Sequence, residues 1–141
     1  MINALRSGAE HPEPVKPDTI ASSIAIGNPA DGFHVLDTIR RSGGSGETAS
    51  DEEILRAIQL LARTEGIFTE PAGGTTLAVA IKLIRNGRIP KDESTVVCIT
   101  GNGYKTPEVI APRLDKPILL GRSLREFQTF MTDREQERTV S

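Results

Sequence analysis

The sequence predicts an α/β domain whose sheet is mostly parallel and built from βαβ units, and three observations lead there. The run Thr95-Val96-Val97-Cys98-Ile99-Thr100 has no alternation of polar and apolar residues, the pattern of a strand covered on both faces. It turns at once into Gly101-Asn102-Gly103, so a strand end meets a tight loop, and the crevice beyond such ends is where ligands lie in open α/β sheets. A second strand-loop-helix joint stands upstream: Ile67-Phe68-Thr69, then Glu70 to Gly74, then a helix with Leu77, Ile81 and Ile84 on one stripe. Strand, helix and strand across Ile67 to Thr100 form a right-handed βαβ unit, which brings both loops to one edge of the sheet.

The segment 1–19 carries Pro12, Pro14 and Pro17 among charged residues and reads as an extended connector. Residues 20–120 form the α/β domain, and 121–141 a C-terminal helix with a solvated tail. Ser22 to Ile26 reads as a short strand, followed by a turn with Asn28 as N-cap and Pro29 at the first helical position. That helix runs to about Arg41, buries Phe33, Leu36 and Ile39, places Arg40 and Arg41 at its negative end, and stops at Gly43-Gly44. Gly43-Gly44-Ser45-Gly46 has the composition of a phosphate cradle, but the helix after it opens Ser50-Asp51-Glu52-Glu53, whose carboxylates repel phosphate. Ser50 and Glu53 instead have capping-box spacing. Ile54, Leu55, Ile58, Leu61 and Ala62 give this helix a stripe expected to pack on a sheet, and Gly66 stops it.

The helix after Glu70 is expected to start near Gly74 and to end at Asn86-Gly87. Pro107 opens a short helix, and Pro112 and Pro117 break the chain beyond it into a loop. In the final helix Leu124, Phe127 and Met131 form a docking face, whereas Asp133 to Arg138 alternates in sign and reads as a solvated end.

With 141 residues, 37% of them hydrophobic, the chain suits one domain with one core. A net charge of -2 and the lack of any Lys/Arg stripe leave no electrostatic footprint for nucleic acid. No apolar run approaches the ~20 residues of a membrane span, and the first residues lack a secretory signal's apolar core, so the cytoplasm is the expected location. The single cysteine, Cys98, is expected to be a small buried thiol, without redox chemistry. Neither His11 nor His34 has a His or Cys companion at metal-ligand spacing.

Three runs together resemble the threonine synthase family: Ser22-Ser23-Ile24-Ala25-Ile26-Gly27-Asn28-Pro29, Glu65 to Gly74, and Thr100-Gly101-Asn102-Gly103-Tyr104-Lys105-Thr106. These are pyridoxal-phosphate enzymes of the tryptophan-synthase-β-like fold, fold type II. The resemblance extends from about Ile20 to Thr106 and matches the C-terminal portion of such an enzyme. It implies pyridoxal phosphate as cofactor and conversion of O-phospho-L-homoserine and water to L-threonine and phosphate. It also implies that the Thr100 hydroxyl bonds the pyridine nitrogen, with Gly101, Asn102 and Gly103 beside the ring. A strand-end hydroxyl is a neutral partner suited to a ring nitrogen that is not strongly protonated. By the same resemblance Glu70 to Gly74 would line the neighbouring wall, with no assigned chemical role.

The family's Schiff-base lysine follows a Ser-x-Phe run, and none of Lys16, Lys82, Lys91, Lys105 or Lys116 stands in that context. The glycine-asparagine loop that holds the cofactor phosphate is absent as well. The implied partner is therefore a lysine-bearing N-terminal half, in cis or in trans, with the chain inactive unaided; self-association stays open. A related threonine or serine dehydratase and a non-catalytic remnant or binding subunit are the competing readings.

Overall fold

Helix caps and apolar stripes at 3.6-residue spacing are the strongest local signals in this chain, and they dominate its architecture. A computed structural model describes the backbone of residues 1–140 and the side chains of residues 1–136. Among the described residues six α-helices follow one another: α1 (Ile2–Ser7), α2 (Gly32–Arg41), α3 (Asp51–Glu65), α4 (Pro71–Arg85), α5 (Pro107–Ile110) and α6 (Leu124–Val140). Single 3-10 turns occur at Ser22–Ile24, Gly103–Lys105 and Ala111–Arg113.

The helical pair α3 and α4 is the centre of the molecule. Ser50 caps α3 as its spacing predicts: the Glu53 N–H donates to Ser50 Oγ at 3.3 Å and the Ser50 N–H donates to Glu53 Oε2 at 2.7 Å. Gly66 ends the helix in the left-handed region at φ 68. Ile54, Leu55 and Ile58 of α3 join Ala21 and Ile110 in the core cluster, with Ile20, Phe68 and Val109 packed on it. Gly74 lets the two helices approach, since a Cβ there would lie 2.7 Å from Ile58 Cγ1 and 3.0 Å from the Ile54 carbonyl. Lys82 of α4 crosses back to α3, pairing with Glu53 at 2.7 Å and donating to the Thr48 carbonyl at 2.8 Å.

All three carboxylates of the first turn of α3 find partners far along the chain. Asp51 accepts from the Thr19 hydroxyl at 2.6 Å and from the Ile20 N–H at 3.2 Å. Glu52 takes the Arg113 guanidinium at 2.7 and 3.3 Å, which holds its carboxyl below the usual range. The Lys82 ammonium, and then the Ser50 N–H, pull Glu53 down to about 2.

The parallel sheet and βαβ unit expected from the sequence are corrected by the structure. Among the described residues there is no named strand, only one isolated antiparallel bridge between Thr69 and Asn102. Residues 95–100 are irregular and make no backbone hydrogen bond with the other described residues; a strand exists only through a neighbour that pairs with it, and nothing here does so. Val97 and Ile99 are half-buried, whereas Val96, Cys98 and Thr100 are exposed, so one face of the run is covered and the other is open. Cys98 is thus an exposed thiol, not the buried one expected. Helix α3 packs on α4 rather than on a sheet.

Smaller corrections obey the same logic of local competition. Ser22–Ile24 closes as a 3-10 turn. Helix α2 begins at Gly32 with Asp31 at its N-cap, because Pro29 is taken up in a turn that the Gly32 N–H closes onto the Pro29 carbonyl at 3.1 Å. Within α2, Leu36 is fully buried but Phe33 is exposed. The supposed connector holds α1, tied to α2 by Arg40, which donates to the Ala4 carbonyl at 3.4 Å and to the Ala9 carbonyl just beyond α1 at 2.6 Å. Leu124, Phe127 and Met131 of α6 stay exposed rather than docked. Asp133 to Gln136 are exposed, and the side chains of 137–138 lie outside the described residues.

Candidate functional site

The glycine loop after Thr100 is clamped to the segment that leads into α4. The Glu70 N–H donates to the Gly101 carbonyl at 3.2 Å and the Gly103 N–H donates to the Phe68 carbonyl at 3.0 Å. The Thr69 hydroxyl, in a residue only 1% exposed, is shared between the carbonyls of Gly101 at 3.1 Å and Glu70 at 3.2 Å. The two loops the sequence expects at one edge are therefore together, though across an antiparallel bridge rather than at the ends of parallel strands.

Both glycines have a reason within the chain. A Cβ at Gly101 would lie 1.7 Å from Glu70 Oε1, and one at Gly103 would lie 2.5 to 2.6 Å from three ring atoms of Phe68. The space over the loop is filled by Glu70 and Phe68. Gly73 is matched in the same way to Thr69, whose Oγ1 would lie 2.0 Å from an added Cβ. These packing partners lie outside the glycine motif itself. Helix α4 starts at Pro71 rather than near Gly74, with Glu70 at its N-cap; the preference of proline for the first helical position is the signal that marks this start.

The remaining loop residues divide between local structure and open chemistry. Asn102 accepts the Tyr104 N–H on its Oδ1 at 2.8 Å, so this side-chain oxygen caps the 3-10 turn Gly103–Lys105. Tyr104 is exposed and meets Phe68 edge-on, with ring centroids 5.3 Å apart. The Lys105 ammonium lies 4.0 Å from the largely buried Glu70 carboxylate, while its own side chain is mostly in solvent. Thr106 Oγ1 is buried without a hydrogen-bond partner. Thr100 stands on the open face of residues 95–100, and its hydroxyl makes no hydrogen bond with the other described residues. Phe68 and Tyr104 also line an apolar groove of about 560 Å³, together with Ile58, Ala62, Ile110 and Leu114.

Chemically, these groups offer a neutral hydroxyl at Thr100 and a carboxylate-ammonium pair at Glu70 and Lys105. Among the described residues no cluster of His, Cys, Asp and Glu is arranged to hold a metal. No helix there is long and apolar enough to cross a membrane.

A family model described as pyridoxal-phosphate dependent enzyme matches residues 1–101, and the chain belongs to that family. Pyridoxal phosphate is accordingly the cofactor of the class. More particularly, the chain resembles threonine synthases: it is 44% identical over 119 residues to that of Methanocaldococcus jannaschii, covering 84% of this chain and 29% of the relative. The threonine synthase of Bacillus sp. is 46% identical over 94 residues, 67% of this chain and 27% of the relative. That of Methanosarcina acetivorans is 41% identical over 126 residues, 88% of this chain and 31% of the relative. The chain thus spans roughly three tenths of the length of these relatives.

Toward that cofactor the described residues offer the Thr100 hydroxyl, which is exposed and has no hydrogen-bond partner among them. The glycine loop is not an open cradle for a phosphate, because Glu70 and Phe68 occupy its glycine faces. Lys105 is turned toward Glu70, and Lys82 is held by Glu53 and the Thr48 carbonyl.

Proposed function

We propose that this chain supplies one wall of the pyridoxal-phosphate site of a cytoplasmic threonine synthase. The reaction is conversion of O-phospho-L-homoserine and water to L-threonine and phosphate, with no activity in the chain unaided. The observation that carries the reading is the Thr100 hydroxyl, exposed and without a partner among the described residues, at the point where an apolar run meets the clamped glycine loop.

When bound, the cofactor withdraws electrons from the amino-acid substrate, the chemistry on which phosphate elimination and water addition depend. The part of this chain is to bind and orient. Thr100 donates a neutral hydrogen bond to the ring nitrogen and leaves it without full positive charge, which a carboxylate would favour instead. Bonds from Thr69, Glu70 and Gly103 fix the backbone immediately after Thr100, so the residue is anchored on its C-terminal side while its hydroxyl stays free of partners among the described residues. Gly101, Asn102 and Gly103 form the wall beside the ring. The Schiff-base lysine and the phosphate loop come from a lysine-bearing N-terminal half, in cis or in trans.

The test uses an enzyme reconstituted with that half. Thr100→Ala weakens cofactor binding and lowers turnover by about 1 kcal/mol each, Thr100→Ser retains most of both, and Thr100→Asp is worse than Ala. If Thr100→Ala matched wild type while Asn102→Ala abolished binding and rate, the ring contact would belong to Asn102. Phosphate release from O-phospho-L-homoserine separates this reading from a dehydratase.

A further inference from the structure

Glu70 is the only charged residue that is buried among the described residues, at 9% exposed. It stands at the N-cap of α4, yet its side chain forms no cap bond there. Its one ion pair among the described residues is the 4.0 Å contact with Lys105, whose side chain is 65% exposed. A carboxylate withdrawn from water is unfavourable unless another charge meets it, so the pair has a significance beyond the helix cap. Its position is defined by Gly101: a Cβ there would fall 1.7 Å from Glu70 Oε1 and 2.2 Å from Cδ, so the carboxylate lies against the Gly101 Cα. Consecutive Cα atoms are about 3.8 Å apart, which puts the carboxylate within about 7 Å of the Thr100 Cα.

That placement conflicts with a neutral contact at Thr100 unless the charge is compensated. A bare carboxylate so close, and shielded from water, draws a proton onto a neighbouring base. The Lys105 ammonium opposes it. We infer that the Glu70–Lys105 pair sets the electrostatic potential on the face that presents Thr100, and with it the proton affinity of the cofactor's ring nitrogen; the inference rests on the function proposed above. With both charges in place the nitrogen meets a neutral hydroxyl and no net charge beside it. Loss of the Lys105 charge leaves the carboxylate uncompensated and raises that proton affinity. Loss of the Glu70 charge leaves the ammonium and the positive end of α4, and lowers it. The other charged or titratable groups on the elements meeting at this loop do not oppose Glu70: Lys82 is held by Glu53, and Arg85 lies in the last turn of α4. Glu108 sits in the first turn of α5, Tyr104 meets Phe68 edge-on, and Cys98 is the one titratable side chain of residues 95–100.

Cys98 is the only cysteine of the chain, is exposed, and shares the open face with Thr100, so its thiol chemistry reads the potential there without any cofactor. The rate of its reaction with the dianionic dithiobis-nitrobenzoate is divided by the rate with the neutral dithiodipyridine, which cancels thiol ionisation and access. Glu70→Gln raises this ratio about twofold or more and Lys105→Gln lowers it about as much, while the double variant returns to wild type. All three differences fade at about 1 M salt, where the Debye length is ~3 Å. A merely structural role moves both rates together. A ratio unchanged in either single variant, shifts of the same sign in both, or differences that survive high salt overturn the inference. The second reading uses the enzyme assembled with the lysine-bearing half and pyridoxal phosphate carrying nitrogen-15 in its ring. The pH at which that nitrogen takes up its proton falls by roughly half a unit in Glu70→Gln and rises by as much in Lys105→Gln. Midpoints that stay where they are in both variants overturn the link to the nitrogen. If they move as expected while Thr100→Ala leaves cofactor affinity and rate untouched, the contact proposed for Thr100 falls and the role of the charge pair stands.

Discussion

Adding one methyl group at either end of the glycine loop separates rigid from yielding contacts. At Gly103 a new Cβ would stand 2.5 to 2.6 Å from ring atoms of Phe68, and the ring sits between the core cluster and the edge of Tyr104. The core cluster holds the ring on one side, so overpacking costs about 1–3 kcal/mol, with about 1 more if the Gly103 N–H bond to the Phe68 carbonyl opens. At Gly101 the nominal overlap is worse, 1.7 Å, but the obstacle is the end of the Glu70 side chain. Glu70 can swing aside at the price of a poorer rotamer and its long contact with the mostly solvated Lys105, together about 1 kcal/mol. Gly103→Ala is therefore the more damaging change despite the smaller overlap. Glu70→Ala removes the obstacle at Gly101, giving a coupling of about 1 kcal/mol with Gly101→Ala and none with Gly103→Ala. Urea unfolding followed by helical circular dichroism measures stability, and emission from Tyr104, the only tyrosine in a chain without tryptophan, reports on the loop itself. Equal or greater damage from Gly101→Ala, or no relief from Glu70→Ala, would refute the reasoning.

Ser50→Ala removes the capping box and lowers unfolding stability by about 1 kcal/mol in the same assay; an unchanged urea midpoint would mean that the cap contributes nothing. Glu53 is held at about 2 in the folded chain against ~4.3 unfolded, so its contribution is present above the unfolded value and lost as pH falls from about 5 through 2. The Glu53→Gln variant should lose less stability over that window, and parallel curves for variant and wild type would contradict the assignment. Mixing the chain alone with pyridoxal phosphate and reducing with borohydride yields only scattered, substoichiometric lysine labelling. Stoichiometric modification of Lys105 would overturn its structural role beside Glu70.

The features that could be read in the sequence have causes that lie within a few residues. Ser50 and Glu53 are three apart and cap one another, Gly66 and Gly87 supply positive φ where helices stop, and Pro107 opens the short α5. The Thr69–Asn102 bridge, by contrast, joins residues far apart, and no local pattern shows that Glu70 and Phe68 fill the space over Gly101 and Gly103. The failure at Thr95–Thr100 has the same root. An apolar run states that its side chains are to be covered, but it does not contain the neighbour that would make it a strand. Ile99 finds cover against Gly73 at the start of α4, Val96 finds none among the described residues, and the family assignment stands independently of the missing sheet. The role of Thr100 came from the resemblance and gains from the structure only its free hydroxyl.

The three carboxylates that open α3 have a history as well as a geometry. A chain made from its N-terminus at roughly 5–20 residues per second releases them into solution well before all their partners exist. Thr19 and Ile20 are already waiting when Asp51 emerges, Lys82 arrives after most of α4, and Arg113 reaches Glu52 only when 61 further residues have been added. In the nascent chain this turn is thus held first by its own cap and helix dipole and by Asp51, then latched to α4, and last to the segment after α5. A ribosome-stalled product ending before Lys82 leaves Glu53 with its cap alone, without the largest of the causes that lower its carboxyl, and one ending before Arg113 leaves Glu52 facing only Arg56. The order of synthesis is also the order in which the long-range partners of this helix end are completed, so the ion pairs that acid can break come last.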